Sequence, residues 1–131
     1  MQALKAAGRR VLVVDDNQDA ALSLAALLDL QGHATRVAFS GREALERIES
    51  FHPDVALLDL GLPEMDGYEL AGRLRALPVA SRIRLIALTG YGQAEDRQRT
   101  HRAGFDDHLV KPVDLAALER TLVGTSSAAK P

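Results

Sequence analysis

The chain is predicted to be an α/β domain, a doubly wound parallel sheet of five strands in the order 2-1-3-4-5. Three observations predict it. Short apolar runs rich in Val, Ile and Leu recur along the 131 residues, each followed by a turn and then by a segment with helical apolar spacing. The runs at 11–14 and 55–58 are continuously apolar rather than alternating, as in strands covered on both faces. Strands that alternate with helices in this way pair in parallel, with helices above and below the sheet.

The first strand is Arg10-Val11-Leu12-Val13-Val14, ending in Asp15-Asp16. Asn17 or Asp16 can cap the helix from about Gln18 to Gln31, whose apolar stripe is Ala21, Leu24, Ala25 and Leu28 and whose stop is Gly32. The segment from His33 to Ala38 mixes polar and apolar residues and contains Arg36, which suits an edge strand. Ser40-Gly41-Arg42-Glu43 is a capping box, and it opens a second helix with Ala44, Leu45 and Ile48 facing inward. Pro53 to Pro63 carries the third strand, which ends on Asp59 before a turn with Gly61 and Pro63. Asp66 and Glu69 repeat the capping spacing and start a third helix with Leu70 and Leu74, fading by Pro78. Ile83 to Leu88 forms the fourth strand and delivers Thr89 and Gly90. A fourth helix is expected from about Gln93 to Arg102, ending at Gly104 and polar almost all round, so that it packs weakly or waits for a partner. Asp107 to Val110 is the fifth strand, ending in Lys111-Pro112, and the last helix starts at Asp114 with Leu115, Leu118 and Leu122. Right-handed crossovers and a polar second strand favour the flavodoxin-like order given above. One domain spans 1–131, with its core at about 9–123 and a flexible tail or cut linker at 124–131.

Composition narrows the function. Apolar residues make up 47% and charged residues 26%, as in a globular protein with a proper core. A formal charge of −2 gives no electrostatic case for nucleic acid or an anionic membrane, so neither is expected as a partner of this domain. The absence of cysteine excludes disulfides, thiolate zinc sites and cysteine nucleophiles. No apolar run reaches the roughly 18 residues that span a bilayer, and no secretory signal opens the chain, so a cytoplasmic setting is expected.

The chemistry lies at the strand ends, where open α/β sheets bind ligands. The first strand delivers Asp15 and Asp16, the third Asp59, the fourth Thr89 and the fifth Lys111. In the order 2-1-3-4-5 these side chains converge. Two carboxylates about 4 Å apart repel by on the order of 4 kcal/mol at an effective dielectric of 20. One Lys offsets only part of this, so a divalent cation is implied, and oxygen-only ligands favour Mg²⁺. Lys111 as a point charge and Thr89 as a hydroxyl donor suit a phosphoryl group beside that ion. Asp59, at the tip of the central strand, is the expected nucleophile toward phosphorus, with Asp15-Asp16 as the metal-binding pair.

Asp15-Asp16, Asp59, Pro63, Met65-Asp66-Gly67, Thr89 and Lys111-Pro112, in this order and spacing, resemble a response-regulator receiver domain over about residues 9–123. The resemblance implies that Asp59 accepts a phosphoryl group from a histidine kinase or a histidine phosphotransfer protein. It implies Mg²⁺ on Asp16, Asp59 and the Gly61 carbonyl, with Asp15 holding a metal-bound water. By the same resemblance Lys111 pairs with the phosphoryl group, and its peptide bond to Pro112 is cis, which helps to hold the lysine in place. Thr89 swings toward the phosphate and draws in the switch residue, and the surface of the fourth helix, fifth strand and fifth helix reads out the change. That switch position is His108, where the family usually carries Tyr or Phe, and an imidazole there would make the switch sensitive to pH. Gly61 has no side chain to place an attacking water and Tyr91 can shield the site, so slow autodephosphorylation is expected. The segments 87–92 and 103–114 look like receivers fused to the C-terminus of hybrid histidine kinases, as against a freestanding regulator.

Other residues carry less. His33, His52, His101 and His108 have no mutual metal-ligand spacing and read as surface or interface histidines. Ser23, Ser40 and Ser81 lack a nucleophile-elbow context, and Asp15-Asp16-Asn17 stands where a dinucleotide binder needs glycines. One rival is a small Mg²⁺-dependent phosphatase with an aspartyl nucleophile, but Gly61 occupies the place of its general acid. The other is a receiver-like interaction module that is never phosphorylated. The expectation is a phosphoacceptor switch rather than an enzyme.

Overall fold

The computed structural model describes residues 8–90 and 97–122, apart from the Arg97 side chain. In chain order the elements are β1 (Arg10–Val14), α1 (Gln18–Leu30), β2 (Ala34–Ala38), α2 (Gly41–Phe51) and β3 (Val55–Asp59). There follow α3 (Gly67–Arg75), a 3₁₀ turn (Pro78–Ala80), β4 (Arg84–Thr89), α4 (Arg97–Ala103), β5 (Asp107–Val110) and α5 (Leu115–Leu122). The five strands form one sheet in the order β2-β1-β3-β4-β5, with every pair parallel. Both features are as the sequence predicts, and the polar second strand lies at an edge.

Alternate residues of each strand serve opposite faces. Leu12, Val14, Leu58 and Leu85 pack with Ile48 of α2 and Leu70 and Leu74 of α3 on one side. Val11, Val13, Leu57 and Ile86 pack with Ala21 and Leu28 of α1 and Leu118 and Leu122 of α5 on the other. Each such Leu or Ile, taken wholly out of water, contributes roughly 1.5–3 kcal/mol before entropy is set against it. The central strands β1 and β3 are therefore clamped from both sides. Their C-terminal ends cannot drift apart without opening both cores.

Caps set the helix starts. The Asn17 side chain accepts from the Ala20 N–H, Ser40 from Glu43 and Asp66 from Glu69. The two capping boxes differ in their second half. Glu43 reaches back to the Phe39 N–H at 2.7 Å, whereas Glu69 pairs with Arg73 at 3.0 Å. Of the fourth helix, residues 97–103 are seen, while the expected start at Gln93, Tyr91 and the tail at 124–131 lie outside the described residues.

Arg75 ties the N-terminal ends of the last strands to α3. It donates to the carbonyls of Gly104 (2.9 Å) and Ile83 (2.7 Å) and pairs with Asp106 (2.7 Å). Gly104 ends α4 at φ +111°, and a Cβ there would lie 2.9 Å from the Arg75 Cγ. One expectation is corrected here. His33 is no surface residue: it is buried, its Nδ1 accepts from the Arg9 N–H at 2.9 Å, and its Nε2 lies 3.3 Å from a Glu119 carboxylate oxygen. Both ring nitrogens are engaged by the start of β1 and by α5, so packing outweighs the usual exposure of an isolated histidine. His101 and His52 are exposed, and His108 is half-buried.

Candidate functional site

The site begins with two strand ends. Val14 of β1 pairs with Leu58 of β3, so Asp15 and Asp59 leave adjacent strands at the same height. The Asp15 carboxylate is almost wholly buried and its Oδ1 accepts from the Asn17 N–H at 3.0 Å. The Asp59 carboxylate has only 15% of its side chain exposed and its Oδ1 accepts from the Gly61 N–H at 2.9 Å. Each anion is thus aimed by a backbone donor two residues further along the chain.

Lys111 comes from farther away. Two strand spacings of roughly 4.8 Å separate β5 from β3, a span that a lysine side chain can bridge. Its Nζ donates to Asp15 Oδ2 at 3.0 Å and to Asp59 Oδ2 at 3.3 Å, so one cation sits between two anions. The Lys111–Pro112 peptide bond is cis, as the resemblance implies.

One cation for three carboxylates leaves the cluster short of positive charge. Burial pushes the Asp59 carboxyl above the ordinary 3.8. The Gly61 N–H pulls it down, the hydrogen bond and charge of Asp15 push it up, Lys111 pulls it down, and the balance is upward. At Lys111 burial opposes the charge, but the hydrogen bond to Asp15 and the charges of Asp59 and Asp15 prevail and raise it above the ordinary 10.5.

Asp15, Asp16 and Asp59 each offer an oxygen, and these oxygens lie within 4.8 Å of one another. A hard cation with ligands at about 2.0–2.1 Å has oxygens on opposite sides a little over 4 Å apart, so small side-chain rotations bring this set into reach. The donors are all oxygens and the site is partly open at Asp16, which leaves room for water or a phosphate oxygen. The residues present fit a Mg²⁺-like ion.

The loop beyond Asp59 is held by Gly67. Its N–H donates to the Leu60 carbonyl at 3.1 Å, and a Cβ there would lie 2.7 Å from the Leu60 Cα and 2.8 Å from the Asp59 carbonyl oxygen. The first turn of α3 therefore rests directly on the end of β3, an approach open only to glycine.

Thr89 stands apart from the cluster. It ends β4 beside Asp59, but it is buried and its hydroxyl donates to the Leu109 carbonyl at 3.4 Å. A rotation is needed before it can meet a group on Asp59. His108, on β5, lines a groove of about 400 Å³ with Thr100, His101 and Phe105, and its N–H is capped by Asp107 at 2.8 Å. Sequence reasoning missed the α1 surface. Leu22, Leu27 and Leu30 are exposed, Leu30 by 83%, on the helix that starts beside Asp15. The signal was present as apolar residues outside the inward stripe of that helix.

The match to the response regulator receiver domain model covers residues 11–123. An uncharacterized 14.6 kDa protein of Leptolyngbya boryana is 44% identical over 110 residues, 84% of either chain. The sensor histidine kinase RcsC of Escherichia coli is 37% identical over 112 residues, 86% of this chain but 12% of that much longer protein. The receiver domain of a sensor histidine kinase from Pseudomonas aeruginosa, solved with a magnesium ion coordinated in its active-site cleft, superposes with a TM-score of 0.78 at 33% identity, covering 88% of this chain and 94% of that one. The receiver domain of the Saccharomyces cerevisiae response regulator Ssk1, solved in complex with the phosphotransfer protein Ypd1, gives 0.79 at 25% identity, covering 88% and 87%. Fold, strand-end chemistry and sequence agree: the chain belongs to the response regulator receiver domains of two-component signalling.

Proposed function

We propose that Asp59 is the phosphoacceptor and that the domain works as a phosphorylation switch in a two-component relay. The observation that carries this is the convergence of the Asp15, Asp16 and Asp59 carboxylates with the Lys111 ammonium on the ends of clamped strands. Asp59 presents a carboxylate oxygen to phosphorus, and that oxygen forms the new bond as the bond to the donor breaks. Lys111 offers its cation to the phosphoryl oxygens, and the Gly61 N–H keeps the carboxylate aimed. Asp16, Asp59 and the Gly61 carbonyl would hold Mg²⁺, with Asp15 on a bound water, and the ion would supply positive charge against the charge on the transferring group.

The donor is a histidine kinase or a histidine phosphotransfer protein. The exposed leucines of α1 beside the site suit a partner helix, as does the likeness to a receiver solved with a phosphotransfer protein. The likeness to part of a sensor histidine kinase supports a place within a longer hybrid kinase in the cytoplasm. Among the described residues no helix is long and apolar enough to cross a membrane. After phosphorylation Thr89 turns from Leu109 toward the phosphate, His108 follows into the space it leaves, and the surface of α4, β5 and α5 changes. Gly61 has no side chain with which to place a water on the aspartyl phosphate, so the modified form is long-lived.

Incubation with Mg²⁺ and acetyl phosphate is expected to add one phosphoryl group to the parent, seen by intact mass, and none to Asp59→Asn. Addition to Asp59→Asn, or none to the parent, would overturn the assignment. Decay of the modified parent within seconds would overturn the long lifetime.

A further inference from the structure

Charge is shared out unevenly along the chain. Residues 70–105 hold seven arginines against two acids, Glu95 and Asp96, a net +5, so the rest of the chain carries −7 to reach the total of −2. Two of these arginines are used inside the fold. Arg75 pairs with Asp106, and Arg84 pairs with Asp107 and donates to the Thr121 carbonyl. Arg73 meets Glu69 in an exposed pair, which holds its charge only weakly. Arg82 and Arg102 are exposed and have no acid partner among the described residues.

The contacts of α3 and α4 place these cations along one cleft. Arg99 lies 3.9 Å from the Tyr68 ring centroid, so it faces α3, and Arg102, three residues on, shares that side of α4. Arg82 stands at the other end, between Ser81 and Ile83, whose carbonyls both accept from the Arg75 guanidinium. The α3 wall runs from Tyr68 through Gly72 to Ala76, residues spaced four apart on one side of the helix. Gly72 lies inside that helix, where glycine is destabilising, yet it is exposed and a Cβ there would meet nothing within 4 Å. Nothing within the molecule accounts for its missing side chain. A partner passing close to this turn does.

We infer that the cleft between α3 and α4 docks an acidic helix of a protein partner. A stripe of carboxylates on such a helix meets Arg82, Arg99 and Arg102, and the planar fork of arginine donates to a carboxylate two bonds at a time. The bare turn at Gly72 lets the partner's backbone approach. This is the α3-facing side of α4, whereas His101 lines the groove beside β5. A duplex or an anionic bilayer is too broad to meet the cleft alone and would also face the −7 of the remaining chain. A single helix is narrow enough. The inference does not depend on Asp59 being the phosphoacceptor.

The test titrates the full chain into a labelled, Ala-rich helical peptide of about 20 residues with one stripe of Glu, read by fluorescence anisotropy. Parallel titrations use the same peptide with Lys for Glu, a duplex DNA of equal charge, and phosphatidylglycerol vesicles. Saturable binding of the Glu peptide is expected, weakening severalfold between about 50 and 300 mM salt. The double variant Arg82→Gln/Arg102→Gln should weaken it about fivefold, the combined effect of two exposed charge pairs. Gly72→Gln puts a good helix former at an exposed position, so it should raise Tm while weakening the peptide by a similar factor. That combination separates docking from misfolding. Arg120→Gln, on α5 across the sheet, should keep the parent affinity. No saturable binding of the Glu peptide, equal binding of the Lys peptide, or tighter binding of DNA or vesicles overturns the inference. So does a parent affinity kept by either cleft variant, or an equal loss in Arg120→Gln.

Discussion

The two ends of the strand-end surface are built in opposite ways. At β1 and β3 the Asp15 and Asp59 carboxylates are each fixed by a backbone donor and by Lys111, and the strands beneath are buried on both faces. At the β5 edge, α4 buries only Thr100 fully among its described side chains, and its contacts include Arg99 lying 3.9 Å from the Tyr68 ring centroid and the Gly104–Arg75 contact at its C-terminus. Chemistry at phosphorus demands fixed geometry, whereas a readout has to move at little cost. The rigid end stores unfavourable charge and the soft end is where its relief can be spent as motion.

The largest test attacks the rigid end. Gly67→Ala drives a methyl into the Leu60 and Asp59 backbone, which cannot give way as a flexible side chain does. A loss of about 3 kcal/mol, roughly 10 °C in Tm for a domain of this size, is expected, together with weaker metal binding at the displaced Asp59. Thermal unfolding with and without Mg²⁺ reads both. A change of only a degree or two would mean that the close approach is not what fixes the loop.

The second test concerns the stored charge. Because the folded-state pKa of Asp59 is raised above the ordinary 3.8, ionising it in the folded chain costs stability. The cost is absent at pH below the ordinary value, grows as pH rises toward the raised one, and is complete above it. Asp59→Asn is therefore expected to stabilise the metal-free protein at pH 7 by on the order of 1 kcal/mol, with the advantage shrinking in acid. Lys111 works in the opposite direction: its contribution is full below the ordinary 10.5 and is lost as pH rises through its raised value. Paired melts across pH 3–8 check the sign for Asp59. A variant less stable than the parent at pH 7 would show that Lys111 already balances the cluster.

What was legible in the sequence follows the same division. β1 and β3 could be read because strands buried on both faces must be continuously apolar, and Asp15, Asp59 and Lys111 because a polar residue ending such a run has few other places to go. The Thr89 position was legible but not its hydroxyl direction, since a rotamer depends on the Leu109 carbonyl of a neighbouring strand. His33 was misread because its partners, Arg9 and Glu119, lie 24 and 86 residues away and nothing local marks them. The Arg75 tie was silent for the same reason. A polar helix such as α4 has no periodic signal to fix its start, and its sequence conveyed its polar character and its end before Gly104.

The smallest expected change in stability belongs to the soft end. Arg99 lies over the Tyr68 ring, whose edge meets Phe105 at a centroid distance of 6.4 Å, so this stack joins α4 to α3 and to the segment entering β5. An exposed cation–π contact is worth roughly 0.5–1 kcal/mol, and Arg99→Ala should lower global stability by on the order of 1 kcal/mol. Its local effect should be larger. Amides of α4 are expected to exchange several-fold faster while those of β1 and β3 keep the parent rates, because the described residues of α4 offer little other apolar surface to hold it. Hydrogen exchange resolved by segment decides the matter. Uniformly faster exchange across the sheet would show that α4 belongs to the same cooperative unit as the acid cluster, and the division between a fixed chemical end and a movable one would then fail.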